Sequence, residues 1–172
     1  MTSTFLDLPA DPRATERLGE LLGAHLQPGD TLALTGELGS GKTTLVRGLA
    51  RGLELDDPDA VSSPTYLLVL EHPGPKPLRH ADAYLPAKLQ GFLADGGLDY
   101  LLDGASVVAV EWGERVRDLL PENTLWLTLE LSERPGRRVE LRPGRPGSYP
   151  FVAELPKMMA ADGIGPDGGQ PE

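Results

Sequence analysis

Apolar residues recur along this chain with two different periods, and the switching between them predicts an α/β protein. Across residues 13–26, Ala14, Leu18, Leu21, Leu22 and Leu26 fall on one side of a helix. Pro12, just ahead, suits a helix start. Thr31-Leu32-Ala33-Leu34-Thr35 is short, apolar and partly β-branched, which predicts a buried strand. Helical spacing returns over residues 42–53 through Leu45, Val46, Leu49 and Leu53.

The remaining elements are shorter. Residues 4–6 predict a short edge strand, and the Gln27-Pro28-Gly29-Asp30 stretch a turn. Residues 66–71 and 78–84 read as strands joined by a proline-rich hairpin loop at 72–77. Residues 86–102 divide into two short helices at Asp95-Gly96-Gly97. An apolar run at 106–112 carries Glu111 near its end, and 115–120 reads as a helical turn. Residues 124–131 alternate as a strand, and 137–141 return after the turn at Arg134-Pro135-Gly136. No internal repeat is present. Residues 1–143 therefore read as one domain, with a parallel core to its sheet. Residues 144–172 form a Gly/Pro-rich tail with one short helix expected at 154–161 and disorder from Asp162 onward.

Between the predicted strand at 31–35 and the helix at 42–53 lies Gly36-Glu37-Leu38-Gly39-Ser40-Gly41-Lys42-Thr43, which fits G-x-x-x-x-G-K-[ST], the phosphate loop of nucleoside triphosphatases. A triphosphate needs hydrogen-bond donors for many charged oxygens. Backbone N–H groups supply them where glycines let the chain wrap closely, and a helix N-terminus adds unpartnered N–H groups and a favourable dipole. Residues Glu37, Leu38, Gly39, Ser40, Gly41, Lys42, Thr43 and Thr44 are thus the expected nucleotide cradle. Lys42 is expected at the β- and γ-phosphates, and the Thr43 hydroxyl at Mg²⁺.

Such a site also needs a carboxylate at the end of a neighbouring strand. Val107-Val108-Ala109-Val110-Glu111 offers one. Asp82 is a second acid at a strand end, suited to hold metal or orient water, or else a surface acid. Ser62-Ser63-Pro64-Thr65 follows the phosphate-loop helix, where nucleotide switches place a hydroxyl, although by spacing alone it reads as an ordinary turn. Trp112 reads as a core aromatic by default, or else as a ring packed beside the nucleotide, and His80 as a hydrogen-bonded, half-buried histidine rather than a base. Arg134, Arg137, Arg138, Arg142 and Arg145 form a basic stretch, in part a solvated strand face and in part available to a nucleotide or partner. The guanine-reading N-K-x-D box is missing, which favours ATP over GTP.

Composition narrows the field. The chain has 172 residues, of which 40% are hydrophobic, enough for one domain with a core. It has no cysteine, which excludes disulfides, iron–sulfur clusters and thiolate zinc sites, and His25, His72 and His80 have no paired ligand spacing. No apolar run spans a bilayer, and residues 1–12 lack a basic segment followed by an apolar one, so a cytoplasmic protein without membrane contact is expected. A net charge of −10 argues against direct binding to nucleic acid, whose phosphates select for Lys and Arg.

Four blocks together resemble the TsaE (YjeE) family, the small ATPases of bacterial tRNA threonylcarbamoyladenosine synthesis. They are the first helix leading into Gly29-Asp30-Thr31-Leu32, the phosphate loop through Thr44-Leu45, Ser63-Pro64-Thr65-Tyr66 with His80-Ala81-Asp82-Ala83-Tyr84, and Val110-Glu111-Trp112. They are similar to the family's G-D-L-G-A-G-K-T-T, S-P-T-[FY], H-x-D-x-Y-R and V-E-W, in the same order over residues 5–142. The resemblance implies a P-loop NTPase-like three-layer α/β fold with a mainly parallel central sheet and antiparallel additions. It implies that Lys42 and Thr43 bind phosphate and Mg²⁺, that Asp82 and Glu111 are the acids on the metal side, and that Thr65 is the switch residue near the γ-phosphate. Gly136 and Arg137 match a family position close to the nucleotide. The family's ATPase is weak alone and works with the transferase TsaD and its paralogue TsaB, resetting them between turnovers; tRNA would then be met only through that complex. Leu85 departs from the pattern, standing where the family usually has Arg. Two other readings of the same loop remain open: a small-molecule kinase, and a nucleotide-gated binding module without meaningful hydrolysis.

Overall fold

A computed structural model of the chain describes residues 2–65 and 68–165. Tyr66 and Leu67, where the strand at 66–71 is expected to begin, and residues 166–172 of the expected disordered end lie outside the described residues.

The chain runs β1 (Thr4–Leu8), α1 (Pro12–His25), β2 (Thr31–Thr35), α2 (Lys42–Gly52), β3 (Val69–His72), β4 (Leu78–Asp82), α3 (Pro86–Ala94), α4 (Gly97–Leu101), β5 (Val107–Glu111), β6 (Leu125–Leu131), β7 (Arg137–Pro143) and α5 (Leu155–Ala161). Short 3-10 segments lie at Pro58–Ala60, Gly113–Leu119 and Pro150–Glu154. The strands form one sheet in the order β1-β7-β6-β2-β5-β4-β3. β6, β2, β5 and β4 are mutually parallel, whereas β7, β1 and β3 join antiparallel at the two sides. This is the P-loop NTPase-like arrangement, with helices on both faces of a mainly parallel centre.

Strand alternation decides which face each side chain serves. Leu32 and Leu34 of β2, Val107 and Ala109 of β5, and Leu78 of β4 enter the larger core, with Leu18 and Leu22 of α1 and Leu45 and Leu49 of α2. Val108 and Val110 face the other way, into a smaller cluster with Ala81, Leu101 and Val116. The helix start at Asp11 is capped: its carboxylate accepts the Arg13 backbone N–H at 2.9 Å.

α1 and α2 pack backbone to backbone. A Cβ on Gly48 would sit 1.9 Å from Glu16 O, and one on Gly52 2.1 Å from Glu20 O. On the facing helix, a Cβ on Gly19 would sit 2.2 Å from Leu45 O. This close crossing anchors α2, the helix that leaves the phosphate loop.

The short helix expected within the Gly/Pro-rich tail is α5, and Tyr149, Val152, Leu155 and Met159 are buried in the same core as α1 and α2. Of the stretch expected to be disordered, residues 162–165 close that helix: Ile164 N–H donates to Met159 O at 3.0 Å, and Asp162 pairs with Arg17 at 2.8 Å. No helix among the described residues is long and apolar enough to cross a membrane.

Candidate nucleotide-binding site

The phosphate loop connects the buried end of β2 to the first turn of α2, and its glycines adopt backbone that side chains resist. Gly36 has φ 141°, and a Cβ there would lie 2.3 Å from Leu129 O. Gly41 has φ 106° at the N-cap of α2, with Arg137 Nε 3.0 Å from where its Cβ would be. Arg137, at the start of β7, donates through Nε to Ser40 O at 2.7 Å. The antiparallel side of the sheet therefore braces the loop.

Glu37, Leu38 and Gly39 are exposed at the tip, Ser40 is buried, and Thr44 is half-buried in the first turn of α2. Lys42 is buried, and its Nζ donates to Gly36 O at 2.6 Å and Glu37 O at 2.9 Å, both carbonyls of the loop itself. Burial lowers its pKa below that of an ordinary lysine, opposed by the nearby negative charges of Glu111, Glu114 and Asp82.

The two acids arrive side by side because β4 and β5 are adjacent and parallel, with Asp82 opposite Glu111 in register. Both are at the C-terminal ends of their strands, the end where α/β sheets bind ligands. By alternation from Leu78 and from Val107, both point to the α2 side. Asp82 is 2% exposed and Glu111 3% exposed, so neither is an ordinary surface acid. Glu111 Oε1 accepts the Thr43 hydroxyl at 2.9 Å, linking the strand acid to the phosphate-loop helix. Asp82 Oδ2 accepts the Thr65 hydroxyl at 2.8 Å, and its Oδ1 accepts Tyr84 N–H at 2.7 Å. Because the Thr65 hydrogen goes to the carboxylate, the Ser63 hydroxyl donates to Thr65 Oγ1, at 2.7 Å.

The structure thus gathers Lys42, Thr43, Thr65, Asp82 and Glu111 around the mouth of the phosphate loop. Their oxygen donors, two carboxylates and two hydroxyls, suit a hard divalent cation such as Mg²⁺. Two buried carboxylates in adjacent register also call for compensating positive charge. Gly136 and Arg137 sit further along. Gly136 lines a cleft of about 610 Å³ with Leu8, Pro9 and Arg134, between β1 and the β6–β7 hairpin, and Arg137 joins this cleft to the loop. Within the basic stretch, Arg138 pairs with Asp7 and Arg145 with Glu122 on the surface, as expected of a solvated face.

Two side chains differ from their default sequence reading. Trp112 is only half-buried; its φ is 58°, and its ring lies under Lys42 Nζ at 4.3 Å and against Tyr84 at 5.1 Å. The left-handed backbone just after β5 turns it out of the strand's alternation and toward the loop. His80 is completely buried rather than half-buried, and its Nε2 lies 2.8 Å from Glu111 Oε1. Its signal was in the sequence: Leu78, His80 and Asp82 are alternate residues of one strand and share a face. Arg115 gave no such signal. It donates to Tyr84 O at 2.5 Å and stacks over the Tyr84 ring at 4.9 Å, beside the half-buried Leu85.

The family model described as Threonylcarbamoyl adenosine biosynthesis protein TsaE matches residues 9–139. The tRNA threonylcarbamoyladenosine biosynthesis protein TsaE of Streptomyces coelicolor is 44% identical over 117 residues, covering 66% of this chain and 76% of that protein. The protein of the same name from Treponema pallidum is 37% identical over 125 residues, 73% of this chain and 90% of that protein. The crystal structure of Bacillus subtilis YdiB matches the fold with a TM-score of 0.72 at 26% identity, covering 94% of this chain and 97% of that one. With the family match spanning most of the sheet and every residue of the phosphate loop, the chain belongs to the TsaE family of threonylcarbamoyl adenosine biosynthesis proteins.

Proposed function

We propose that this chain is a Mg²⁺-dependent ATPase subunit of tRNA threonylcarbamoyladenosine modification, and that it binds and resets a TsaD-like transferase with its TsaB-like paralogue. The observation that carries the reading is the pairing of Asp82 with Glu111 in register, with the Thr43 hydroxyl on Glu111 at 2.9 Å and Lys42 in the same loop. The relatives' names support the pathway.

Phosphoryl transfer asks mainly for positioning and charge stabilisation. Lys42 donates to two loop carbonyls, an easily exchanged set of partners, and a triphosphate offers its ammonium stronger acceptors. Thr43, Glu111 and Asp82 are the residues that would hold Mg²⁺, which when bound neutralises charge on the β- and γ-phosphates. Thr65, hydrogen-bonded to Asp82, links the loop after α2 to the acids, so a partner that reorders this loop alters the acid pair. With a net charge of −10, the chain meets tRNA only through its partners, in the cytoplasm.

ATP turnover measured with and without the transferase pair tests the reading. A rate raised by the pair is expected, and equal rates overturn it. Lys42→Ala is expected to weaken nucleotide binding by about 10- to 100-fold, as for loss of a charge-assisted contact. Thr65→Ala is expected to spare affinity while lowering the partner-stimulated rate. A panel of hydroxylated metabolites assayed as phosphate acceptors separates this reading from a small-molecule kinase.

A further inference from the structure

Glu111 has a second partner that the proposed mechanism leaves unused. His80 is 0% exposed, on β4 two residues before Asp82, facing the α2 side of the sheet. Its Nε2 lies 2.8 Å from Glu111 Oε1. An ionised carboxylate only accepts, so Nε2 carries the hydrogen and donates it. The same Oε1 accepts the Thr43 hydroxyl at 2.9 Å.

The consequence is orientational. The terminal torsion of a glutamate is broad and roughly two-fold, so an unrestrained carboxylate rotates freely. Here two donors from different elements, one on β4 and one on α2, converge on one oxygen. They fix the rotation and leave Oε2 without a hydrogen bond among the described residues. When Thr43 turns its hydroxyl to a cation, His80 alone keeps the carboxylate in place. The imidazole is rigid and fully buried, on a strand that is paired on both sides, by β3 and by β5, so it holds its donor still.

We infer that His80 is a positioning residue for the Glu111 carboxylate, presenting it pre-oriented to the Mg²⁺–nucleotide. This rests on the proposed reading of Glu111 as an acid on the metal side. Residues that orient metal-binding carboxylates typically contribute 10- to 100-fold to metal affinity.

The test is calorimetric binding of a non-hydrolysable ATP analogue, with Mg²⁺ and with chelator, to the wild-type chain, His80→Met and His80→Gln. Gln restores an N–H donor near the position of Nε2, and Met fills the space without one. Expected is a Mg²⁺-dependent gain in affinity in the wild type, a gain reduced about 10- to 100-fold in His80→Met with the chelator affinity unchanged, and recovery in His80→Gln. A His80→Met protein that keeps the full gain overturns the inference and leaves the functional reading standing. So does equal loss with and without Mg²⁺, which marks His80 as packing alone, or a His80→Gln protein that recovers nothing. A wild type with no Mg²⁺-dependent gain overturns the functional reading itself, and the inference with it. Should His80→Met not fold, nitrogen-15 spectra of the wild-type imidazole decide. The Nε2 resonance of His80 is expected to shift when Mg²⁺ is added to the analogue complex, and an unmoved resonance overturns the inference.

Discussion

The two faces of the sheet are built to different tightness. On one, α1 and α2 touch backbone to backbone through Gly19, Gly48 and Gly52, and α5 closes the same core with Leu155 and Met159. On the other, none of the residues of α3 is buried, and Leu89, Phe92, Leu98 and Leu101 border a small cavity of about 30 Å³ against Val110 and Val116. The phosphate loop grows from the tight face. The helices that follow Asp82 belong to the loose one. The division teaches where rigidity is needed: amide donors must be preorganised to bind anions, whereas thinly packed helices cost little to move.

The comparison breaks most sharply at Gly48. Gly48→Ala drives a methyl group into Glu16 O, which neither helix can yield without separating, so a loss of about 3 kcal/mol or more is expected. In thermal unfolding that corresponds to a fall of roughly 6–12 °C for a domain of this size. A wild-type-like melting temperature would mean that the helix pair is not the tight element described. Next in size is a matched pair of truncations. Leu49→Ala in the enclosed core is expected to cost about 3 kcal/mol, and Leu89→Ala on half-buried α3 about 1 kcal/mol. Chemical denaturation of both variants measures the ratio, and equal losses would erase the distinction between the faces.

Lys42 gives a smaller effect with a definite sign. Burial depresses its pKa, so the ammonium loses its proton at lower pH than an ordinary lysine does. Its attraction for phosphate is complete below that depressed pKa and fades as pH rises through it. Nucleotide affinity is therefore expected to fall at alkaline pH, with proton uptake on binding in that range. Calorimetry in two buffers of different ionisation enthalpy measures both. A flat profile up to the range of an unperturbed lysine would contradict the burial. The smallest change is expected at Gly91, where a Cβ meets nothing within 4 Å. Gly91→Ala on α3 should stabilise by about 0.5–1 kcal/mol through helix propensity alone, opposite in sign to Gly48→Ala.

Much of this was legible beforehand, for reasons that differ by residue. The phosphate loop was readable because its chemistry is local: the glycines, Lys42 and Thr43 act within one turn of chain. Glu111 was readable because an acid closing an apolar strand is conspicuous. Asp82 was ambiguous, since only the parallel pairing of β4 with β5 brings it opposite Glu111. Trp112 was read as core because nothing in the sequence announces a left-handed residue after β5. His80 was undervalued because its partner lies on another strand. The helix-pair glycines passed without notice, since within one helix a glycine looks like a weak helix former. Its value as a gap for a neighbouring carbonyl exists only once the second helix is in place.

The sequence by itself determined the elements, the loop that binds phosphate, and the family, because hydrophobic period and short-range motif are properties of contiguous residues. Tertiary structure alone decided that Glu111 of β5 lies beside His80 and Asp82 of β4 near that loop, and that Arg137 braces it from the far side of the sheet. Those relations depend on which strands pair and in what register. Register is set by burial summed over the whole sheet, so no single segment contains it.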